Sequence, residues 1–425
     1  MPPSPFTLES FLDRKREIHL YLTRNYLYFL RFEVSPSMLG KFRIVGDWVV
    51  GTKISKAEIL DWLRQEDDRY LQDLWQKADA IRRENVGDAV HLRGLIEISN
   101  HCVRQCQYCG LRVDHRGLAR YRMTEAEIME CVRQAVDYGY GTVVLQSGED
   151  YGIRTEWMAS VVRRIKAGTP LAVTLSLGER PDTDLIAWRE AGADRYLLRF
   201  ETSDLQLYEK IHPSLPGRCS DRIAILRRLA ELGYEVGSGV MIGIPGQTYE
   251  SLAHDIWLFE ILYLDMIGVG PYIPHPRTPL GQAAIKLGAP QDKQVPNSEL
   301  MTYKVVALAR LACPGANIPS TTALATLNRE EGRELGLVRG ANVVMPNLTP
   351  LQYRLSYEIY PAKACIFETA ADCDACIKRR IISLGRTVGS GRGDSPNRSR
   401  RIKRAERKLE DVVEDMPCLP CQPQL

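Results

Sequence analysis

The sequence predicts an α/β protein folded as a closed (β/α)8 barrel. From residue 93 onward, short apolar runs alternate with longer segments of helical periodicity, an order typical of parallel strands joined by helical crossovers. Eight such units can be counted, which favours a closed barrel over an open doubly wound sheet. Polar residues follow the apolar runs, as expected where strands end at the mouth of a barrel.

These eight units give the expected element boundaries. The predicted strands are 93–98, 142–146, 171–176, 194–199, 235–242, 265–270, 317–322 and 341–345. The predicted helices are 124–138, 154–167, 182–191, 218–232, 248–263, 298–312, 328–337 and 374–383. Because parallel strands all end at one face of a barrel, active residues are expected in the loops that follow them.

The composition is that of an ordinary globular protein with balanced charge. Of 425 residues, 44% are hydrophobic and 26% are charged, and the net charge is +3. Residues 386–425 hold nine of the Lys and Arg residues and six of the Asp and Glu residues, so the rest of the chain is neutral. This balance argues against a nucleic-acid partner. The apolar stretch 18–34 is short and is interrupted by Arg24, Arg31 and Glu33, which argues against a membrane span.

Four regions are predicted along the chain. Residues 1–50 are aromatic-rich and are expected to form a helical extension, and residues 51–92 a helical lead-in with helical periodicity over 55–84. The barrel is expected to occupy 93–385. Residues 386–425 are expected to form a disordered basic tail, because the first half of this segment is rich in Gly, Ser, Arg and Lys.

One short loop carries the strongest chemical signal. Cys102, Cys106 and Cys109 follow the first predicted strand at the spacing C-x3-C-x2-C, with Tyr108 directly before the last cysteine. Three thiolates so placed can bind three irons of a cubic [4Fe–4S] cluster, which leaves the fourth iron open to a small molecule. The sequence therefore predicts a catalytic iron–sulfur centre at the barrel mouth.

Two other uses of these cysteines must be weighed. A structural zinc site needs a fourth ligand, and His101 adjoins Cys102 so closely that an awkward turn would be required. Disulfides are disfavoured, because the eleven cysteines are odd in number and no secretory leader is recognisable. The same cysteine usage predicts a reducing, cytoplasmic location. Spacing and context together favour the cluster.

A second cysteine group follows the last predicted strand. Cys365, Cys373 and Cys376 stand at the spacing C-x7-C-x2-C, and three such ligands can hold a metal or a second iron–sulfur cluster. The alternative is a buried thiol beside an incidental pair. A further pair, Cys418 and Cys421, is interpreted as exposed on the tail and without a catalytic role.

Several stretches together resemble one family. They are CVRQCQYCGLR (102–112), RYRMT (120–124), VVLQSGED (143–150), VTLSLGE (173–179), AGADRYLLRFET (191–202), GIPGQT (243–248), IGVGPYIPHPRTPL (267–280) and ANVVMPNLTP (341–350). Over roughly residues 55–385, the chain resembles the HydE family of radical S-adenosylmethionine (SAM) maturases of [FeFe]-hydrogenase. That family is related to biotin synthase and to methylornithine synthase. The cysteine motif is specific for the radical SAM superfamily only, whereas the stretches QSGED, LSLGE and PHPRTPL point to the family.

The resemblance implies a cofactor site and a substrate cavity. SAM would bind the open iron of the cluster on Cys102, Cys106 and Cys109, and one electron would cleave SAM to methionine and a 5′-deoxyadenosyl radical. Contacts to SAM are implied for Tyr108, Gln146, Ser147, Ser176, Glu201 and Arg222. A cavity for the second substrate is implied at Arg199, Met266, Thr321, Thr322 and Met345. Taken alone, methionines in strands more often fill a core, and an arginine on a helix more often lies at the surface or in a salt bridge.

The resemblance also implies a biological role. The radical would attack the sulfur of a small iron–cysteine carbonyl/cyanide synthon made by HydG, leading to a precursor loaded on HydF. A low-potential electron donor would be needed. The chain departs from the family pattern at Phe200, where a histidine is often found, and this change is expected to remove a titratable donor from the cavity wall.

Two alternatives stay open. A biotin synthase-like or methylornithine synthase-like radical SAM enzyme would act on a small amino acid or thiol. A non-catalytic iron–sulfur carrier would hold a cluster without cleaving SAM. Products formed from small substrates, and SAM cleavage itself, discriminate these alternatives from a maturase.

Overall fold

The structure, a computed structural model, describes residues 54–283, 289–290 and 292–397. The predicted N-terminal extension, the Cys418–Cys421 pair and most of the predicted tail lie outside these residues. Within them the helices are α1 Lys56–Arg64, α2 Asp68–Val86, α3 Glu125–Asp137, α4 Thr155–Gly168, α5 Asp182–Glu190, α6 Leu205–Ile211, α7 Arg222–Glu231, α8 Tyr249–Ile261, α9 Glu299–Ala312, α10 Thr322–Leu327, α11 Gly332–Leu337, α12 Leu351–Arg354 and α13 Ala370–Ser383. The strands are β1 Ala89–Ser99, β2 Thr142–Ser147, β3 Ala172–Ser176, β4 Arg195–Leu197, β5 Glu235–Ser238, β6 Met241–Ile242, β7 Met266–Ile267, β8 Gly270–Pro271, β9 Val343–Val344 and β10 Thr387–Val388.

Parallel pairing closes the strands into a ring. Neighbours run in the order β1-β2-β3-β4-β5-β7, and β9 pairs with β1. A single parallel bridge joins Met266 of β7 to Asn317. A second joins Pro319 to Val343 of β9, so the segment 317–319 fills the one remaining place. The predicted (β/α)8 barrel is confirmed, with its seventh strand reduced to these two bridges.

Glycines explain why two predicted strands are each split in two. The predicted strand 235–242 becomes β5 and β6, and 265–270 becomes β7 and β8. A side chain at Gly239 would overlap the backbone carbonyl of Gly268, so the two backbones can approach only because residue 239 lacks a side chain. Beyond this crossing, β6 and β8 continue as a separate parallel pair.

Strand alternation separates an outer apolar core from a polar interior. The outward side chains of β1 pack in the core shared with the helices, namely Val90, Leu92, Ile96 and Ile98. The alternate residues, among them Arg93 and Glu97, therefore face the interior. The same alternation turns Gln146, Ser176 and Arg199 inward from β2, β3 and the end of β4. The barrel thus carries a polar layer near its mouth.

The helical lead-in is present but broken. Ser55 caps α1 and exchanges hydrogen bonds with Glu58, whereas Asp67 caps α2 with its own side chain. The single periodic segment 55–84 is therefore two helices that meet at residues 65–67. The apolar face of α1 packs against α8 and that of α2 against α9, outside the barrel.

The chain returns after α13 to close the base of the barrel. β10 pairs with the first residues of β1, and the carbonyl of Arg392 accepts a hydrogen bond from Thr142 Oγ1 (2.8 Å). The next carbonyl, of Gly393, accepts from the Arg93 guanidinium (3.1 Å). The disordered tail predicted from residue 386 is therefore wrong over 386–397, because inward-facing side chains at the strand starts bind this segment.

None of the described helices combines the length and the hydrophobicity needed to span a bilayer. The cytoplasmic location stays a prediction.

Candidate active site

The cysteine loop lies at the carboxyl end of β1, where the barrel topology predicted it. Cys106 is buried, Cys102 and Cys109 are half-buried, and all three carry free thiols. Burial raises the pKa of Cys106 well above its ordinary value, and proximity to the other two thiols adds to the rise. Burial and then Cys102 raise the pKa of Cys109 to about 12. These groups become thiolates only with a compensating cation such as iron.

One arginine inside the cysteine loop ties it to two strand ends. Arg104 Nε donates to Glu149 Oε1 (2.7 Å) beyond β2, and its NH2 lies 2.7 Å from Glu179 Oε2 beyond β3. Arg222, at the start of α7, donates from Nε to the other oxygen of Glu179 (2.9 Å). Arg104, Glu149 and Glu179 were not among the predicted site residues, although Glu149 and Glu179 stand in the stretches QSGED and LSLGE that point to the family. This network positions the cysteines.

Two further contacts fix the loop from below. Asp150 accepts hydrogen bonds from Ser99 Oγ (2.7 Å) and, through both oxygens, from Arg122 (2.7 and 2.9 Å). A side chain at Gly148 would overlap the carbonyl of His101, so the strand-two end can pass under the loop only at a glycine. These contacts hold the cysteine loop against the ends of β1 and β2.

Tyr108 lies between the cysteines and the end of β4. Its ring packs on an apolar cluster of the surrounding loops, made of Leu207, Ile211, Met241, Ile244, Tyr272 and Leu280. Burial and then the charge of Glu201 raise the pKa of Tyr108, which shows that the phenol and this carboxylate are neighbours. The structure therefore brings together Tyr108, Glu201 and the cysteines, as the resemblance implied.

Arg199 and Glu201 form a polar pair with unused hydrogen-bonding capacity. Arg199 NH2 lies 3.4 Å from Glu201 Oε2, yet neither that oxygen nor Arg199 Nε has a hydrogen-bond partner within the described residues, and both atoms are buried. Glu201 has φ 62°, a conformation uncommon for a non-glycine residue and often found at functional sites. Buried polar atoms normally have partners, so this pair is suited to bind a polar ligand.

Phe200 does not line the cavity. It is 2% exposed, belongs to the outer core, and its ring centroid lies 5.8 Å from that of Phe259 on α8. Because successive residues point to opposite sides, the inward Arg199 places Phe200 outward. The expectation that this departure from the family pattern changes the cavity wall is wrong. It changes the packing between barrel and helix instead.

The other residues implied for SAM lie at neighbouring strand ends. Gln146 Nε2 donates to Tyr357 OH (3.2 Å), Ser147 Oγ donates to the carbonyl of Gly148 (2.6 Å), and Ser176 ends β3 half-buried. Their contacts to SAM stay predictions.

Arg222 is a salt-bridged residue with its donors already in use. Besides Glu179, it donates to the carbonyl of Arg199 (2.6 Å) and to His212 Nε2 (2.6 Å). Burial and then the charge of Arg222 lower the pKa of His212 to about 2, so this ring stays neutral and accepts. Arg222 therefore positions Glu179 and the end of β4, and a direct contact to SAM stays a prediction.

The residues implied for the second substrate lie at different depths. Met266 is buried toward the base, where its sulfur accepts from the Arg93 guanidinium (2.9 Å). Thr321 caps α10, and its buried Oγ1 has no partner within the described residues. Thr322 begins α10, and Thr322 and Met345 are half-buried. Met266 is thus largely a core residue, whereas Thr321 has capacity for a ligand.

A buried ion pair inside the barrel was not anticipated. Glu97 of β1 binds the Lys363 ammonium through one oxygen and accepts from Asn347 Nδ2 (3.0 Å) through the other. Lys363 comes from the loop after α12, 266 positions away in the sequence, and no local pattern could have paired them. We call the inward polar residues near the mouth the inner chamber, namely Glu97, Gln146, Ser176, Arg199, Thr321 and Lys363.

The second cysteine group is also brought together. Cys365, Cys373 and Cys376 line a cleft of about 170 Å³ at α13, outside the barrel, together with Arg333 and Arg380. A hydrogen bond from the Cys373 thiol is the main cause that lowers the pKa of Cys365, and Arg333 NH1 donates to Cys365 Sγ (3.6 Å). Three thiols and nearby cations suit an anionic sulfur-ligated centre.

The residues at the barrel mouth fit a cluster with SAM. Within the part of the chain that the structure describes, no three His, Cys, Asp or Glu side chains converge as the ligands of one metal ion would. In a cube each thiolate binds a different iron, so Cys102, Cys106 and Cys109 need not converge. The unpartnered atoms of Arg199 and Glu201 beside them offer a donor and an acceptor to a ligand with an amino-acid end.

Comparisons with known proteins agree with this geometry. Residues 96–256 match the Radical SAM superfamily. The [FeFe] hydrogenase maturase subunit HydE of Thermotoga maritima is 45% identical over 337 residues, covering 79% of this chain and 92% of that protein. The 3-methylornithine synthase of Methanosarcina acetivorans is 27% identical, covering 73% of this chain and 85% of that protein.

Solved structures show the same fold. The crystal structure of methylornithine synthase (PylB) superposes with a TM-score of 0.66 at 25% identity, covering 80% of this chain and 95% of that one. That of the maturase HydG superposes with a TM-score of 0.59 at 19% identity, covering 84% and 72%. With a cysteine loop at the mouth of a closed barrel and this degree of identity to a maturase subunit, the chain is a radical SAM enzyme and belongs to the HydE family.

Proposed function

We propose that this enzyme acts in assembly of the H-cluster of [FeFe]-hydrogenase. Its substrate in this proposal is a small iron–cysteine carbonyl/cyanide synthon supplied by HydG, whose sulfur is attacked, and its product goes to HydF. The relative from Thermotoga maritima is named as a maturase subunit of that hydrogenase, which supports the role. A [4Fe–4S] cluster on Cys102, Cys106 and Cys109, reduced by a low-potential donor, would supply with SAM a 5′-deoxyadenosyl radical.

The observation that carries this proposal is the inner chamber beside the cysteine loop. Glu97 and Gln146 lie in register on β1 and β2, next to that loop, and Lys363 pairs with Glu97 inside a ring closed by strand pairing. Closed walls exclude water and competing hydrogen donors, which radical chemistry requires. The chain's own residues thus orient a small polar substrate and isolate it.

Glu201 is proposed to bind the cofactor SAM, and Arg199 is proposed to bind the second substrate. Glu201 Oε2 is buried without a hydrogen-bond partner in the described residues, and the charge of Glu201 acts on Tyr108, so this oxygen is suited to accept from the ribose or amine of SAM. Arg199 belongs to the inner chamber and is suited to an anionic group of the second substrate. Its contact with Glu201 also orients that carboxylate.

Substitutions at these two residues should separate cofactor from substrate binding. Glu201→Gln keeps the shape and removes the charge, so SAM affinity should fall by about 1–3 kcal/mol. Arg199→Lys keeps the charge but loses the planar fork, so it should impair use of the synthon more than SAM binding. Anaerobic SAM titration and product formation from the synthon measure the two effects. Glu190→Gln, on the exposed face of α5, is the control and should behave as wild type.

Two outcomes would contradict these assignments. Equal SAM affinity in wild type and Glu201→Gln would remove Glu201 from the cofactor site. Wild-type product formation in Arg199→Lys would remove Arg199 from the substrate site. A wild-type enzyme inert toward the synthon, but active on a free amino acid or thiol, would favour a function of the methylornithine synthase or biotin synthase type.

The C-terminal cysteine cleft is proposed to hold a second, peripheral iron–sulfur cluster. Since α13 lies outside the barrel, this cluster would not be needed for SAM cleavage. The triple variant Cys365→Ala, Cys373→Ala, Cys376→Ala should lose part of the bound iron and keep most 5′-deoxyadenosine formation. Iron content and product yield are measured beside Cys131→Ala, a buried cysteine of α3 whose Sγ bonds only the carbonyl of Leu348 (3.3 Å) within the described residues. Complete loss of 5′-deoxyadenosine in a folded triple variant would show that this group carries chemistry or electrons.

A further inference from the structure

Lys363 places a positive charge inside the barrel. The side chain is 7% exposed, and its ammonium pairs with Glu97, which is fully buried on the inner face of β1. Asn347 Nδ2 occupies the second oxygen of Glu97 (3.0 Å). Both carboxylate oxygens therefore have partners, and the ammonium is held in one position by a carboxylate that is itself fixed.

The ammonium retains unused donors. A lysine has three N–H groups, and within the described residues Lys363 donates one hydrogen bond, to Glu97. The ring of Tyr357 also lies near the ammonium, with its centroid 5.5 Å from Nζ. Because buried donors are normally satisfied, the remaining N–H groups point to a ligand that is an acceptor.

Other buried polar groups in the inner chamber also lack a hydrogen-bond partner within the described residues. Arg199 Nε and Thr321 Oγ1 are both buried without a partner in the described part of the chain. β4, which leads to Arg199, stands three places from β1 around the ring of strands. The chamber thus presents cationic donors from two sides, an arrangement complementary to an anion with several acceptor oxygens.

We propose that Lys363 binds the carboxylate of the second substrate, with Glu97 and Asn347 positioning the ammonium. This inference rests on the proposed function, whose iron–cysteine substrate carries a carboxylate, and it identifies the residue that binds that group. The ammonium is shared between Glu97 and that carboxylate, while Arg199 holds the substrate from the opposite side. Two anchors fix the orientation of the atom under attack, which a single charged contact cannot do.

A purely structural ion pair is the competing explanation, and paired substitutions separate the two. Lys363→Met alone leaves Glu97 as a buried, unpaired charge and is expected to destabilise the fold. The double variant Lys363→Met/Glu97→Gln removes both charges, and the amide oxygen introduced at position 97 can still accept from Asn347, so thermal unfolding should return close to wild type. Lys304→Met is the matched control, because Lys304 is equally buried but donates to the carbonyl of Leu63 (3.0 Å) outside the barrel.

The deciding measurement is binding of L-cysteine and of L-cysteinamide to the SAM-bound, cluster-containing enzyme by isothermal titration calorimetry. Wild type and Lys304→Met should prefer the carboxylate by about 10-fold to 100-fold, as expected for hydrogen bonds to a charged group. The double variant should bind both ligands alike. A double variant that keeps the preference, or a wild type that shows none, would overturn the proposal. Because this test uses free cysteine, a wild type that prefers the carboxylate but does not consume the synthon supports Lys363 and contradicts only the proposed function.

Discussion

Cys106→Ala protein, reconstituted anaerobically with iron and sulfide, is expected to show no reduced [4Fe–4S]⁺ signal that SAM perturbs, and to release no 5′-deoxyadenosine. Two thiolates cannot hold a cube with one open iron, and Cys106 is the most buried of the three cysteines proposed as ligands. Electron paramagnetic resonance and product analysis measure both losses.

The matched control for this variant is Cys131→Ala. It also removes a buried thiol, but from α3 in the outer core, so it should keep the signal and the product. A Cys106→Ala enzyme that still cleaves SAM would show that the cluster is held by other residues.

The second large effect is expected from Arg104→Met. Removing this guanidinium leaves Glu149 buried without its cation and Glu179 with Arg222 alone, and losing one partner of a buried pair typically costs about 3–5 kcal/mol. The cysteine loop should loosen, so thermal stability and reconstituted iron should both fall. Arg104→Lys should recover part of the loss, because one ammonium cannot serve both carboxylates in the same geometry.

Arg116→Met is the control, because Arg116 is exposed on the following loop and should have wild-type iron content. Wild-type stability and iron content in Arg104→Met would contradict the role given to this arginine. Loss of iron with unchanged stability would confine that role to the loop itself.

The barrel was predictable because its signal is repeated and local. Each unit carries an apolar run and a helical periodicity, and eight repeats tolerate errors in any one. The element boundaries that were predicted wrongly depend on single contacts between backbone segments that are distant in the sequence. The crossing of Gly239 and Gly268 splits two strands, and the short helices α6, α10 and α12 contain too few residues to show a period.

The prediction that the disordered tail begins at residue 386 was wrong for a related reason. Residues 386–397 have the composition of a disordered segment, but Arg93 and Arg195 project from the strand starts and donate to their carbonyls. The composition of a segment contains no information about hydrogen-bond donors, such as Arg93 and Arg195, that lie far earlier in the chain. Barrel closure creates the site to which this segment binds.

The candidate site also contains some residues that could be predicted from the sequence and others that could not. Residues at strand ends, such as Gln146, Arg199 and Glu201, could be named because the family resemblance implies them, and barrel topology places strand ends at the mouth. Glu97 stands in the middle of an apolar strand, and Lys363 lies on a late loop without a recognisable pattern. Their pairing depends on the loop after α12 entering the barrel, which only the tertiary structure reveals.

The measurement that tests the central claim most directly is activation of [FeFe]-hydrogenase in a defined mixture. Apo-hydrogenase is combined anaerobically with HydG, HydF, SAM, a reductant and this enzyme, and hydrogen evolution is followed. Activity is expected only when the enzyme and SAM are both present, and it should be lost with Cys106→Ala. No hydrogen evolution from an enzyme that still converts SAM to 5′-deoxyadenosine would contradict the proposed function.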